Sequence, residues 1–395
     1  MNQARLVSKT ALTTVIALVL AILAGCGASS NNSSSNTNDG GSPLPTGTEF
    51  LYVGDNVGEI HAFSVDPSSG TLTPVSGGPF SVTNVAAASD VRLAADPSGR
   101  ALYATSAGTG GPNVVALTVN VTTGAVSPVA ANQTLPIPAG KIAVDPKGKN
   151  AYVIPDPSAK TAEVFGFSID PTTHGLTALP NQPTALPGIP NDVTVDPSGG
   201  FVYITFQGTA GHEIAGFSRD PNTGLLTTLG PPFANAGGDS PQGIRVTPNG
   251  DFVIVANQAT SNVSVMSLTI GSGVLNDVAG SPFATGNSPT PVAIDPSSNV
   301  VLVGNTGGNS LSAFTLGSGG TLNPVAGTPV SLGAISQPTS VAVDPSDKFV
   351  YVSTTPSQVS GFTMNPSTGT LTPITGSPFS IGVGTPPRDV IVVKP

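Results

Sequence analysis

Few side chains in this sequence are equipped for chemistry, and they fall into three groups. His212-Glu213 is the one place where an imidazole and a carboxylate are neighbours, and because imidazole titrates nearest neutrality the pair is a candidate proton shuttle. Arg245 is the second, an arginine among small and apolar residues in Gly243-Ile244-Arg245-Val246. A guanidinium enclosed there needs a carboxylate, for which Asp192 is the first candidate, and its planar fork also suits a carboxylate ligand. The third group is a concentration of polar residues in a chain with only 9% charged residues: Asp90, Arg92, Lys141, Asn191, Asp192, Gln242, Thr290, Thr339, Ser340, Arg388 and Asp389. We take Arg245, His212 and Glu213 as candidate catalytic residues, and Asp90, Arg92, Lys141, Asp192, Gln242, Arg388 and Asp389 as candidate ligand-binding residues. No HExxH, GxSxG or Cys/His cluster is present, so neither a metal, nor a Ser-His-Asp triad, nor a cofactor is expected.

The elements that position these residues are repeats. The segment Asp-Pro-x-Gly followed by a Val/Tyr-rich strand recurs at Asp96, Asp145, Asp196, Asp295 and Asp344, with Thr247 starting a variant. Seven residues on stand Tyr103, Tyr152, Tyr203, Ile254, Leu302 and Tyr351, and Tyr52 in Phe50-Leu51-Tyr52-Val53-Gly54-Asp55 begins the set. Successive spacings of 51, 49, 51, 51, 48 and 49 residues suit four short strands and their turns. Each copy continues with a third strand carrying Phe63, Phe167, Phe217, Phe314 or Phe362, a turn such as Asp66-Pro67-Ser68-Ser69-Gly70, and an outer strand ending near Gly-x-Pro-Phe. Inner strands show apolar residues on both faces, as in Ile142 and Val144 with Ala143 between them and Val341 and Val343 with Ala342 between them, which stacking between blades requires.

The chain ends supply an independent check. The first repeat lacks its inner strand, whereas Arg388–Pro395 reads as an inner strand alone and stops where the Asp-Pro turn would begin. The expected fold is therefore all-β: a seven-bladed β-propeller over residues 49–395, four antiparallel strands per blade, closed by the C-terminal strand in the first blade.

Both Asp-Pro turns are short and repeated, which makes their face of the disc scaffold. The connections on the other face are longer and vary between blades, which is where binding residues sit on a rigid frame. The polar groups of the third set begin the inner strands on that face and should surround the channel mouth. So should the residue entering each third strand: Glu59, Asn113, Glu163, Glu213, Asn262, Ser310 and Gln358. Such residues commonly only satisfy loop amides. His174 falls in a scaffold-face turn and is set aside. Arg245 lies two residues before its turn, where the other inner strands carry Ala94, Ala143, Thr194, Ala293, Ala342 and Val392.

Residues 1–25 read as an export signal, with Arg5 and Lys9 before an apolar run, Ala11–Leu23, that is too short to span a bilayer. Leu23-Ala24-Gly25-Cys26 resembles a bacterial lipobox, so lipidation is expected at Cys26, the chain's single cysteine. Residues 26–48, rich in Ser, Asn and Gly, would then be a flexible tether, and the protein would face the periplasm or the cell surface. A net charge of -9 with 13 basic residues scattered along the chain excludes a phosphate-binding footprint, so no nucleic-acid partner is expected. A monomer is expected.

Asp196-Pro197-Ser198-Gly199 leading to Tyr203, Ala62-Phe63-Ser64-Val65-Asp66, and Gly70-Thr71-Leu72-Thr73-Pro74-Val75 together resemble the propeller-type lactonases, the 6-phosphogluconolactonase and muconate-cycloisomerase group. They are also similar to YVTN-type surface propellers. The resemblance covers about residues 49 to 395 and lies in turn and core positions. It implies lactone ring opening or closure at the channel mouth, with basic and acidic side chains binding a carboxylate and moving a proton. Family members usually carry a histidine at the start of an inner strand; here none does, and Arg92, Arg245, Arg388 and His212 match only loosely. Two functions follow: a lactonase-like hydrolase of a small lactone or sugar-acid ester, or a non-catalytic cell-envelope module binding a small carboxylate or glycan.

Overall fold

The Asp-Pro turns at Asp96, Asp145, Asp295 and Asp344 reverse the chain because the carboxylate accepts the amides four and five residues on, and Asp196 accepts the fifth alone. Asp145 takes those of Lys149 and Asn150 at 2.7 and 2.5 Å, and Asp295 those of Asn299 and Val300 at 2.7 and 2.8 Å. In the variant turn the Thr247 hydroxyl accepts the Phe252 amide at 3.0 Å. The second strands that follow are rich in Val, Tyr, Phe and Ile. Ala101–Ser106, Asn150–Pro155, Phe252–Asn257 and Phe349–Thr354 are buried at every residue, as expected of strands covered on both faces.

The computed structural model describes residues 47–82, 89–108, 113–130, 132–207 and 212–395, with only the backbone of His212. Residues 1–46, with Cys26 and the segments expected to be an export signal and most of a tether, lie outside them. The described residues form seven antiparallel sheets. Inner strands are Val91–Ala95, Ala139–Val144, Ile189–Val195, Pro241–Val246, Pro289–Ile294, Pro338–Val343 and, for the first blade, Pro387–Val393. Each meets the inner strand of the next blade, and Pro387–Val393 meets both the last and the first of the others, so the ring closes. The closing strand pairs along Glu49–Asp55, Ile391 opposite Tyr52. The one helical element among the described residues is a single 3-10 turn, Pro157–Ala159.

The outer strand is broken in two. In the first blade Leu72–Pro74 pairs with Phe63–Val65, and after a turn Phe80–Ser81 pairs with Glu59–Ile60. The Pro-Phe signal thus marks a second short pairing rather than the end of one strand.

Seven apolar clusters fill the seven blade interfaces, each drawn from two neighbouring sheets. A repeated clasp locks them. Tyr52, Tyr152, Tyr203 and Tyr351 donate their buried hydroxyls to the carbonyls of Gly124, Gly224, Gly273 and Gly70 in the next blade, at 2.6 to 2.8 Å. Those glycines have φ between 71° and 76°, a region L side chains enter at a cost. The corresponding residue facing Tyr103 is His174, at φ 59°, and among the described residues the Tyr103 hydroxyl is buried without a partner. His174→Gly is therefore expected to stabilise the fold by about 1 kcal/mol. A thermal melt should show the midpoint rising by about 2 °C; an unchanged or lower midpoint would show that the imidazole makes compensating contacts.

Candidate active site

Pairing against the second strands puts the inner strands in a common register. Opposite Tyr52, Tyr103, Tyr152, Tyr203, Ile254, Leu302 and Tyr351 stand Ile391, Ala94, Ala143, Thr194, Arg245, Ala293 and Ala342. The counterpart of Arg245 in the closing strand is thus Ile391, not Val392. The last strand lacks a turn to count back from, and pairing rather than distance to the terminus sets its register.

Two residues earlier in each strand a ring forms at the polar end of the channel: Arg92, Lys141, Asp192, Gly243, Pro291, Ser340 and Asp389. It holds two carboxylates at equivalent places, and each takes a backbone amide from the next blade. Asp389 accepts from Leu93 N at 3.0 Å, Val390 N at 3.0 Å and Ser340 Oγ at 2.7 Å. Asp192, 2% exposed, accepts from Val193 N at 2.9 Å and Ile244 N at 3.1 Å. It also accepts from Arg245 Nη1 at 2.8 Å and lies 3.3 Å from Lys141 Nζ. Burial by itself would raise the Asp192 carboxyl, but Arg245, Lys141 and the two amides outweigh it and hold it below the ordinary carboxylate range.

Arg245 is thus both things its sequence position allows: a partner of Asp192 across a blade boundary and a channel residue, with 41% of its side chain exposed. On the opposite wall Arg388 Nε donates to Asp90 Oδ1 at 2.7 Å. Arg92 donates to the Arg388 carbonyl and stands 3.9 Å from Asp90 Oδ2. These groups line a channel cavity of about 430 Å³ whose walls include Arg92, Lys141, Asp192, Arg245, Arg388 and Asp389. A smaller cavity of about 160 Å³ at the mouth adds Asn191, Gln242 and Thr290, and the two share Arg92, Lys141, Pro291 and Thr339. Of the residues chosen from sequence, Arg92, Lys141, Asp192, Gln242, Arg388 and Asp389 line these two cavities, and Asp90 meets them through Arg388.

Glu213 does not join them. His212 and Glu213 open the third strand of their blade, His212–Arg219, where Glu213 pairs with Phe206 and with Ala234 of the outer strand. Glu213 lines neither cavity, and the His212 side chain lies outside the described residues. The sequence reading also passed over His61. Its Nε2 lies 2.9 Å from Asp55 Oδ2, while Asp55 Oδ1 accepts the amides of Val57 and Glu59. The ligand atoms of Asp55, Glu59 and His61 fall within 4.8 Å of one another, yet two sister hairpins hold neutral networks at this place. Asn257 donates there to Asn262 and Ser264, and Asn305 to Ser310 and Ser312. The group is a hairpin cap with ionisable members.

Residues 94–287 and 277–386 match the family model described as a lactonase with a 7-bladed beta-propeller. A 6-phosphogluconolactonase of Formosa agariphila is 29% identical over 86 residues, 21% of this chain and 23% of that protein; the match spans under a quarter of the relative's length. Two solved structures are similar throughout. A periplasmic gluconolactonase of Pseudomonas aeruginosa has a TM-score of 0.69 at 16% identity, covering 88% of this chain and 99% of the other. A Bacteroides fragilis protein provisionally named as a 6-phosphogluconolactonase has a TM-score of 0.70 at 17% identity, covering 92% and 100%. At such identities these two likenesses speak for the fold alone. With the family model spanning most of the blades, this chain belongs to the seven-bladed β-propeller lactonase family.

Proposed function

We propose that the protein is an exported, lipid-anchored hydrolase that opens a small lactone of a sugar acid or hydroxy acid in its central channel. One observation carries the reading: Arg245 and Lys141 hold the buried Asp192 carboxylate, and Arg92 adds its charge beside Lys141, at a cavity of about 430 Å³. Cations held by a fixed carboxylate are preorganised for a ligand carboxylate and for the oxyanion of a tetrahedral intermediate. The mouth adds the amides of Asn191 and Gln242 and the hydroxyl of Thr290, beside the shared Thr339, groups suited to sugar hydroxyls. The lipobox at Cys26 supports export, and the Pseudomonas relative is itself named as periplasmic.

Hydrolysis of a panel of aldonolactones tests the reading. Arg245→Ala should lower kcat/KM by about 10- to 100-fold, the loss of one charge-assisted hydrogen bond, in a chain that still folds because Asp192 keeps Lys141 and two backbone amides. A parent protein inactive on the whole panel, or a variant equal to it, would overturn it. A second reading, a non-catalytic envelope module, draws support from the absence of histidine among the described residues lining the channel. It requires the channel to bind sugar acids, by calorimetry, without turning them over.

A further inference from the structure

Resting on the lactonase reading, we propose that Lys141 is the catalytic base and acid of ring opening, taking a proton from water and returning it to the leaving oxygen. The argument is first one of elimination among the groups that line the channel. Asp192 and Asp389 each accept at least three hydrogen bonds from the protein itself, two of them from backbone amides. Both oxygens of each already carry a protein donor. Asp90 is held by Arg388 at 2.7 Å. Arg92, Arg245 and Arg388 cannot give up a proton at any working pH. Lys141 alone among the described ionisable lining residues can be a neutral acceptor.

Its place agrees. Lys141 is common to the channel and mouth cavities, so it stands where a ligand entering from the mouth meets the cation cluster. A third of its side chain remains open to that space. The charged groups facing it come from inner strands on both sides: Asp192 of the next strand and Arg245 of the one beyond it, Arg92 of the preceding strand and Asp389 of the one before that. Enclosure by the channel wall holds its amine below the ordinary lysine range; Arg245 and Arg92 push the same way, and Asp192 and Asp389 pull it back.

The step balances with water as the only co-reactant. As the water oxygen bonds to the lactone carbonyl carbon, the neutral Lys141 amine takes one of its protons, and the carbonyl oxygen becomes an oxyanion facing Arg92 and Arg245. The carbonyl then re-forms as the ring C–O bond breaks. The departing ring oxygen takes the proton from the Lys141 ammonium, leaving a hydroxy acid and a neutral amine.

Lys141→Arg separates a base from a mere anion binder, because arginine keeps the charge and reach but cannot accept a proton. We expect kcat to fall on the order of 100-fold with KM changed only a few-fold. The parent's kcat/KM should rise with pH through a midpoint below that of ordinary lysine, and that limb should vanish in the variant. Lys141→Arg with the parent's kcat and pH profile would overturn the assignment while leaving the lactonase reading intact. A parent inactive on every lactone would sink that reading and the assignment together. Should the variant fail to fold, NMR titration of 13C-methylated lysines in the parent decides, and a Lys141 midpoint at or above the ordinary lysine value overturns the proposal.

Discussion

Deletion of Arg388–Pro395 should destroy the cooperative melting of the whole ring, not of one blade. The missing segment supplies the inner strand of the first sheet, paired from Phe50–Val393 to Asp55–Pro387. Val390 and Val393 are 2% and 4% exposed, and their burial alone is worth about 3–6 kcal/mol. Asp389 also takes the Leu93 amide of the second blade and the Ser340 hydroxyl of the seventh, so its loss strands groups on both sides of the seam. Set against a typical net stability of about 5–15 kcal/mol, the deletion removes most of the margin and bares the edge of Glu49–Asp55 for pairing with other chains. Calorimetry should find the midpoint lowered by on the order of 10 °C or the transition lost to aggregation. A truncated chain melting with the full-length one would refute closure through this strand. Removal of Pro395 alone serves as a control and should change nothing.

Closure was legible because the evidence for it is local: an inner-strand pattern at one end and a missing inner strand at the other. Arg245 was legible for a related reason, since it breaks a column of small residues, and the need to neutralise it pointed to Asp192. Three features needed the sheets themselves. That Lys141 shares Asp192 depends on a register shift between Pro190 and Asp192, which brings the carboxylate to Thr205 and into the ring. That Ile391 and not Val392 matches Arg245 depends on pairing with Tyr52. That Glu213 lines neither cavity depends on its pairing with Phe206 and Ala234, which no pattern along the chain displays.

Arg219 was missed although its signal had the same form as that of Arg245. It ends a third strand where the other blades carry Val65, Val119, Ile169, Leu268, Leu316 and Met364. Its side chain is 1% exposed, its Nη2 stands 3.6 Å from Asp145 Oδ1 of the preceding blade, and it donates to Asn150 Oδ1 at 2.6 Å and Gly199 O at 2.8 Å. The two partners are not equally dependent. Asp145 keeps the amides of Lys147, Lys149 and Asn150 without the arginine, whereas the guanidinium without Asp145 is a buried charge with no counter-ion. Removing one member of such a pair costs about 3–5 kcal/mol, while an apolar replacement of the pair is often neutral or stabilising. Asp145→Asn should therefore cost about 3 kcal/mol more than Asp295→Asn, a turn carboxylate that is equally buried but faces no arginine. In contrast, Asn150→Phe with Arg219→Leu rebuilds the clasp that Phe50, Phe201, Phe252 and Phe349 form over turn glycines of the next blade, and should melt at or above the parent's midpoint. Denaturant unfolding of these three variants reads both differences. Equal costs for the two Asp→Asn changes, or a double variant several kcal/mol below the parent, would mean that the ion pair holds this blade boundary in a way the apolar clasp cannot.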